Sequence, residues 1–306
     1  MTATPTRTYV RPRMGTLLAA TMPVGDPSID ARYVDVIFHV AAVCETIMSR
    51  HRPDADVSRL NERAGDPAGV VSAELAEVLD QARSLSAATD GAFDPTVAPV
   101  GNAWRRAGGR RRSPGAKRLS AALALVGWQQ IAVHGARVAL ERRGMAIDLG
   151  GFGKGVALDR IAARLRSEAC DSVILNFGES SLVAVGRPPT GRWTILLRHP
   201  AGGFVGEFAL GGRACSTSAT FGQTIGTGSR AVSHVVDPRT GRPVSAPAQV
   251  TVLARSAAVA EAASTALLVL GRGAMDAMAR RLNIDACWVD GSGVYTTPWF
   301  PLRRLG

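Results

Sequence analysis

The run Ala146-Ile147-Asp148-Leu149-Gly150-Gly151-Phe152-Gly153-Lys154-Gly155-Val156-Ala157-Leu158-Asp159 decides how the chain is read. A short β-prone run, Val138-Ala139-Leu140, precedes it, with a basic, hairpin-like break at Arg142–Gly144 between. After it, Val156, Leu158, Ile161, Ala162 and Leu165 fall on or near one face of a helix. Four glycines, a carboxylate and a lysine therefore sit where extended chain hands over to helix. Such a junction offers unpaired backbone N–H groups, close approach to the main chain and the positive end of the helix dipole, which suits a phosphate or diphosphate. A turn whose glycines serve tight packing alone is the other reading. The pattern is not a P-loop, because Gly155 rather than Ser or Thr follows Lys154. Nor does it open a dinucleotide fold at the N-terminus, since nearly half the chain precedes it.

Lys154 is one of only two lysines, with Lys117, among 36 basic residues, so a lysine here hints at a chemical requirement. The 306 residues, 46% hydrophobic and 20% charged, describe an ordinary globular protein rather than a disordered one. Net charge is +11, and Arg105, Arg106, Arg110, Arg111, Arg112, Lys117 and Arg118 concentrate it in what reads as an exposed basic loop. No recognition-helix motif or aromatic-interleaved basic surface accompanies that loop, so no nucleic-acid partner is expected; a solvated loop, or one drawing in an anionic partner, fits better. Cys44, Cys170, Cys215 and Cys287 stand far apart in apolar surroundings without metal-ligand spacing, which reads as reduced core thiols. With no secretory h-region and no run of membrane-spanning length, the expected location is cytoplasmic.

Taken in order, residues 1–12 are expected to be flexible, and residues 13–306 to form a single domain. Met14–Ala20 reads as a first strand, and Asp30 as the cap of an amphipathic helix running to about Arg50. Arg50 to Asn61 reads as a polar loop leading into a short turn, and Ser72 as the start of a helix over Ala73–Ala88. Thr89–Thr96 packs Asp90, Phe93, Asp94 and Thr96 into one turn, and a short helix over Leu119–Val126 follows. Strands cluster later, at 172–185, 193–197, 204–210, 214–218 and 249–254. Thr217 and Ser218 place hydroxyls beside a turn. His234 lies three residues before Asp237 at a strand-to-turn junction, a reasonable site for proton chemistry. In the last clear helix, Ala257–Leu270, Glu261 and Thr265 are four apart on one face and present hard oxygens of the kind Mg²⁺ takes; a Thr bonded back to its own helix is the alternative. Early helices and late strands, without repeats or long linkers, make an α+β protein with mixed or antiparallel sheets and packed helices.

Together and in this order, Met14-Gly15-Thr16, Ser58–Asn61, Asp90–Thr96, Asp148–Asp159, Asn176-Phe177-Gly178, Thr217-Ser218, His234–Pro243, Ala260–Thr265 and Gly271 resemble the ApbE-type flavin transferases. The resemblance implies an ApbE-like, T-fold-related architecture in two closely associated lobes. It implies a Mg²⁺-dependent enzyme that binds FAD and transfers its FMN half to a Ser or Thr hydroxyl of a target protein, releasing AMP. By the family pattern Gly151, Glu261 and Thr265 hold the metal. Met14, His51, Ala92, Phe93, Asp94, Asp148, Lys154, Thr217, Ser218 and Val235 line the flavin nucleotide. His234, Asp237 and Lys154 are the catalytic candidates, with His234 or Asp237 deprotonating the acceptor or orienting its loop.

The chain departs from the family at four places. Glu261 stands where Asp is usual, His51 where an aromatic, usually Tyr, is usual, and Ala219 and Glu179 where Gly is usual. An FAD-binding protein without efficient transfer, or a Mg²⁺-dependent pyrophosphatase giving FMN and AMP, are the readings that these departures keep open.

Overall fold

The computed structural model describes residues 5–108, 113–189, 191–222, 224–226 and 231–305. Its centre is an antiparallel sheet of β1 (Thr6–Arg13), β2 (Thr16–Pro23), β6 (Ser172–Phe177), β7 (Ser181–Gly186), β10 (Ala214–Ala219), β13 (Ala248–Ala254), β14 (Asp285–Asp290) and β15 (Gly293–Thr296), which neighbour one another in that order. The expected flexible N-terminus is corrected by β1, whose residues 6–13 pair in continuous register with β2. The polar side chains there bury little, so apolar burial gives no signal; the backbone ladder and a tight turn hold the strand instead. Met14 and Gly15 make that turn, with φ of +49° and +76°, the double left-handed geometry that joins two-residue hairpins.

Helices α1 (Pro27–Met48), α6 (Gly153–Ser167) and α7 (Ala257–Leu270) pack against one another and against the sheet. α1 starts earlier than expected: Asp26, not Asp30, caps it, accepting from Ser28 N at 2.8 Å, because Pro27 is suited to a first helical position. Asp26 and Pro27 together outrank the later acid.

α2 (Asp56–Glu62) and α3 (Ala73–Ala88) lie beside a small sheet of β3 (Gly69–Val70), β4 (Ile131–His134) and β5 (Arg137–Leu140). A second small sheet joins β8 (Thr194–Arg198), β9 (Phe204–Ala209) and β16 (Arg303–Arg304), and β11 (Thr224–Ile225) pairs with β12 (Val232–Ser233). The basic region is less of a loop than expected. Arg105 and Arg106 end α4 (Ala98–Gly108), Lys117 and Arg118 lie in α5 (Ala116–Leu123), and Arg110–Arg112 fall outside the described residues. Pro99 obscured α4 in the sequence, yet in a first turn its missing N–H breaks no helical hydrogen bond.

The large hydrophobic core lies between the sheet and α1, α3, α6 and α7; a smaller one of Leu197, Phe208, Cys215, Leu253, Cys287 and Phe300 fills the other side. All four cysteines are free and buried. Among the described residues no helix is long and apolar enough to cross a membrane. The mixture of helices and antiparallel sheets is the expected α+β class.

Candidate active site

The glycine-rich run is not a direct strand-to-helix turn, since β5 ends at Leu140 and α6 begins at Gly153. The connecting chain buries Met145, Ile147 and Leu149 and is clamped by a side chain in place of a neighbouring strand. Asn61 on α2 accepts from Ile147 N at 2.6 Å and donates to Ile147 O at 3.0 Å. Asp148 N donates to Pro95 O at 2.7 Å, which ties the run to the Asp90–Thr96 turn. The Asp148 carboxylate accepts from Gly150 N at 2.9 Å and pairs with Arg50 at 3.1 Å.

No side chain caps α6, whose N-cap position is Phe152. Its first turn is therefore dressed by glycines, and a side chain at Gly153 would meet Met14 Cε at 3.3 Å. Gly155 serves the other purpose, packing: a Cβ there would stand 2.5 Å from Ala257 O and 2.6 Å from Ala258 N. One turn on, Asp159 accepts from Ala257 N at 2.7 Å, Ala258 N at 3.0 Å and Ser256 Oγ at 2.6 Å, and so caps α7. The second half of the run thus follows the packing reading by docking α7, while in the first half Gly150 and Gly151 are exposed and Phe152 N and Gly153 N donate to Leu149 O at 3.0 and 2.6 Å.

That docking sets Glu261 beside Lys154. Lys154 Nζ lies 2.9 Å from Glu261 Oε1, and Ser181 Oγ donates to the same oxygen at 2.5 Å. Glu261 is 3% exposed, and its Oε2 is buried without a hydrogen-bond partner among the described residues. Thr265 Oγ1 is 3.5 Å from Ser218 Oγ and 3.5 Å from where a Cβ on Gly151 would stand. Ser218 also meets Ser264 Oγ at 2.8 Å. Gly151, Lys154, Ser218, Glu261 and Thr265 are therefore brought together, with Met14 at the edge. Among the described residues no three His, Cys, Asp or Glu side chains gather into a metal-binding group, so a cation here would rest on one carboxylate, a hydroxyl and main-chain oxygen.

Other expected residues sit differently. Ala92 and Phe93 are buried, with the Phe93 ring 5.7 Å from that of Phe152 at the start of α6. Asp94 is buried and turned inward: Oδ1 accepts from Thr96 N and Oγ1 at 2.8 and 2.6 Å, and Oδ2 from Trp128 N at 3.0 Å. Burial pushes its carboxyl above the usual range, opposed by those hydrogen bonds. Thr217 pairs with Thr251 across β13 at 2.9 Å, on the sheet face opposite to Ser216 and Ser218, so it does not join the cluster. His51 is exposed, its N–H bonded to Ser49 Oγ at 3.2 Å.

His234 is exposed and Val235 buried, just before the bridge of Val236 to Pro243. Asp237 is held by Arg239 through both oxygens, at 2.9 and 3.0 Å, and by Arg239 N at 2.9 Å, which makes it a loop-shaping acid. Trp104 Nε1 on α4 donates to Gly241 O of this loop at 2.8 Å. Of the departures, Glu179 takes φ +57°, the left-handed region that a glycine would occupy freely, and Ala219 simply extends β10 opposite Gln249. Ser181, Arg50 and Asp159 were not singled out as functional from sequence. The one available signal was a serine at an inward position of β7, in phase with Val183 and Val185.

Comparison with known proteins adds the lineage. The ApbE family model matches residues 14–288. The chain is 31% identical over 233 residues to an FAD:protein FMN transferase of Rhodobacter capsulatus, covering 73% of this chain but only 44% of that relative. It is 26% identical to the FAD:protein FMN transferase of Escherichia coli K12, over 94% of this chain and 84% of the relative. Among solved structures, the apo flavinyl transferase ApbE of Pseudomonas stutzeri superposes with a TM-score of 0.81 at 29% identity, covering 96% of this chain and 94% of that one. The ApbE protein of Thermotoga maritima gives 0.86 at 23% identity, covering 96% and 97%, a likeness of fold. With residues 14–288 matched and the fold shared, the chain belongs to the ApbE family.

Proposed function

We propose that the chain is an FAD:protein FMN transferase, which moves the FMN moiety of FAD onto a Ser or Thr hydroxyl of an acceptor protein and releases AMP. The observation that carries this is the buried Glu261, paired with Lys154 on one oxygen and unpartnered on the other, beside the uncapped start of α6. The unpartnered, buried oxygen of Glu261, the Thr265 hydroxyl one turn further along α7 and the main chain at Gly151 beside Thr265 are hard oxygen donors of the kind that Mg²⁺ takes. Glu261, Thr265 and the Gly151 carbonyl would hold the ion, which when bound neutralises charge on the diphosphate.

The chain's own groups do the rest. The dipole of α6, whose start carries no side-chain cap, and the Lys154 ammonium suit an anionic diphosphate. Met14, half-buried beside the start of α6, offers apolar surface for the flavin, with the buried Phe93–Phe152 pair packed behind it. The acceptor oxygen bonds to the FMN phosphorus, the phosphorus–oxygen bond to AMP breaks, and AMP leaves with the bridging oxygen. The acceptor's proton goes to a base, for which His234 is the candidate, since Asp237 is already committed to Arg239. Four free, buried thiols support a reducing, cytoplasmic setting.

The test is incubation with FAD and Mg²⁺, with and without a protein carrying a flavinylation acceptor sequence. Acceptor-dependent AMP release and a fluorescent acceptor band on a denaturing gel are expected. AMP without the band would make the protein a pyrophosphatase, and bound FAD without AMP a binding protein.

A further inference from the structure

On β7, Ser181, Val183 and Val185 point to one face, and both valines belong to the main hydrophobic core. Ser181 is a fully buried hydroxyl at a position that the strand otherwise fills with apolar side chains. It donates to Glu261 Oε1 at 2.5 Å, the oxygen that Lys154 already holds at 2.9 Å. A hydroxyl present only to satisfy a buried acid would do most on the oxygen that lacks a partner, and that oxygen is Oε2. Two donors on one oxygen instead fix the rotation of the carboxylate and leave its other oxygen presented. Glutamate has one more rotatable bond than the aspartate usual at this position, so its carboxylate has more directions to lose, and a second anchor removes them.

We propose that Ser181 is a positioning residue: with Lys154 it locks Glu261 so that Oε2 alone is offered to a hard divalent cation. The proposal rests on the metal reading of Glu261.

The experiment is calorimetric titration of Mg²⁺ into the full chain at saturating FAD without acceptor, for the wild type, Ser181→Ala, Ser181→Thr and Ser181→Cys, with Glu261→Gln as the site control. Partners that orient a metal ligand typically contribute about 10- to 100-fold in affinity. Ser181→Ala is therefore expected to weaken Mg²⁺ binding by about tenfold or more, Ser181→Thr to restore most of it, and Ser181→Cys, a weaker donor of similar size, to fall between. Equal Mg²⁺ affinity in the wild type and in Ser181→Ala or Ser181→Cys would overturn the proposal and leave Ser181 as a structural hydroxyl. A wild type that takes up no Mg²⁺, or a Glu261→Gln that binds it undiminished, would bring down the metal reading and this proposal with it.

Discussion

Glu261 keeps unequal company on its two oxygens, and the imbalance predicts what its removal does. Glu261→Ala should lower acceptor-dependent AMP release by about 100-fold or more, the scale of losing one preorganised electrostatic contact to the transferring group. FAD binding, followed by flavin fluorescence, should survive, because Lys154 and the start of α6 remain. Normal turnover by the variant would refute the metal assignment. Asp94 makes a different prediction. Its carboxyl is raised by burial, so the folded state holds its proton to higher pH than the unfolded state does. Its contribution to stability is then fully present below the ordinary carboxylate range and is lost as pH rises through the raised value. Asp94→Asn removes that titration and, with its amide nitrogen facing the Trp128 N–H, leaves a donor unpaired. Thermal melts should show a loss of about 1–3 kcal/mol at neutral pH, and the gap to wild type should widen as pH falls into the acid range. The four thiols are inert by the same physics; burial pushes Cys215 and Cys287 up to about 12.

At the scale of elements, the contact of α6 with α7 is the most demanding feature. Gly155→Ala would place a methyl 2.5 Å from Ala257 O, and overpacking of this kind costs about 1–3 kcal/mol. The variant should melt lower and lose Mg²⁺ affinity, because spreading α6 from α7 to relieve the clash carries Glu261 away from Lys154. Unchanged melting and Mg²⁺ binding would show that the helices are not tightly docked. Asp159→Ala, which leaves Ala257 N and Ala258 N without their acceptor while Ser256 still caps Val259 N, should destabilise by about 1–2 kcal/mol. The same elements show what could be read in advance. The amphipathic patterns of α1 and α3 were legible because each buries a regular stripe, whereas α7 was legible as an alanine- and leucine-rich run closed by Gly271 and is buried on nearly every side. β1, α2 and α4 were not: β1 is held by a backbone ladder, α2 is two turns of mostly polar residues, and Pro99 masks α4. In the site, Lys154, Glu261 and Thr265 were visible as motif residues. Their pairing across distant sequence was not, and neither was the donation from Ser181, since no local pattern tells where a buried hydroxyl points.

Across the whole molecule, net charge of +11 favours encounters with anions. Replacing Arg106, Lys117 and Arg118 with neutral residues should slow acceptor association, most at low salt, and leave FAD affinity unchanged; stopped-flow rates against ionic strength would measure it. A matching fall in FAD affinity would instead place these residues at the nucleotide. The bond between α6 and α7 has one more consequence. A glycine that admits no methyl and an acid that grips the next helix make the start of α6 and the Glu261 carboxylate a single unit. On the proposed function, the grip on the diphosphate and the grip on the cation therefore cannot be retuned separately from within that unit. Substitutions that tune one without the other belong on the pieces outside it: the hairpin tip at Met14 and the loop that Asp237 shapes.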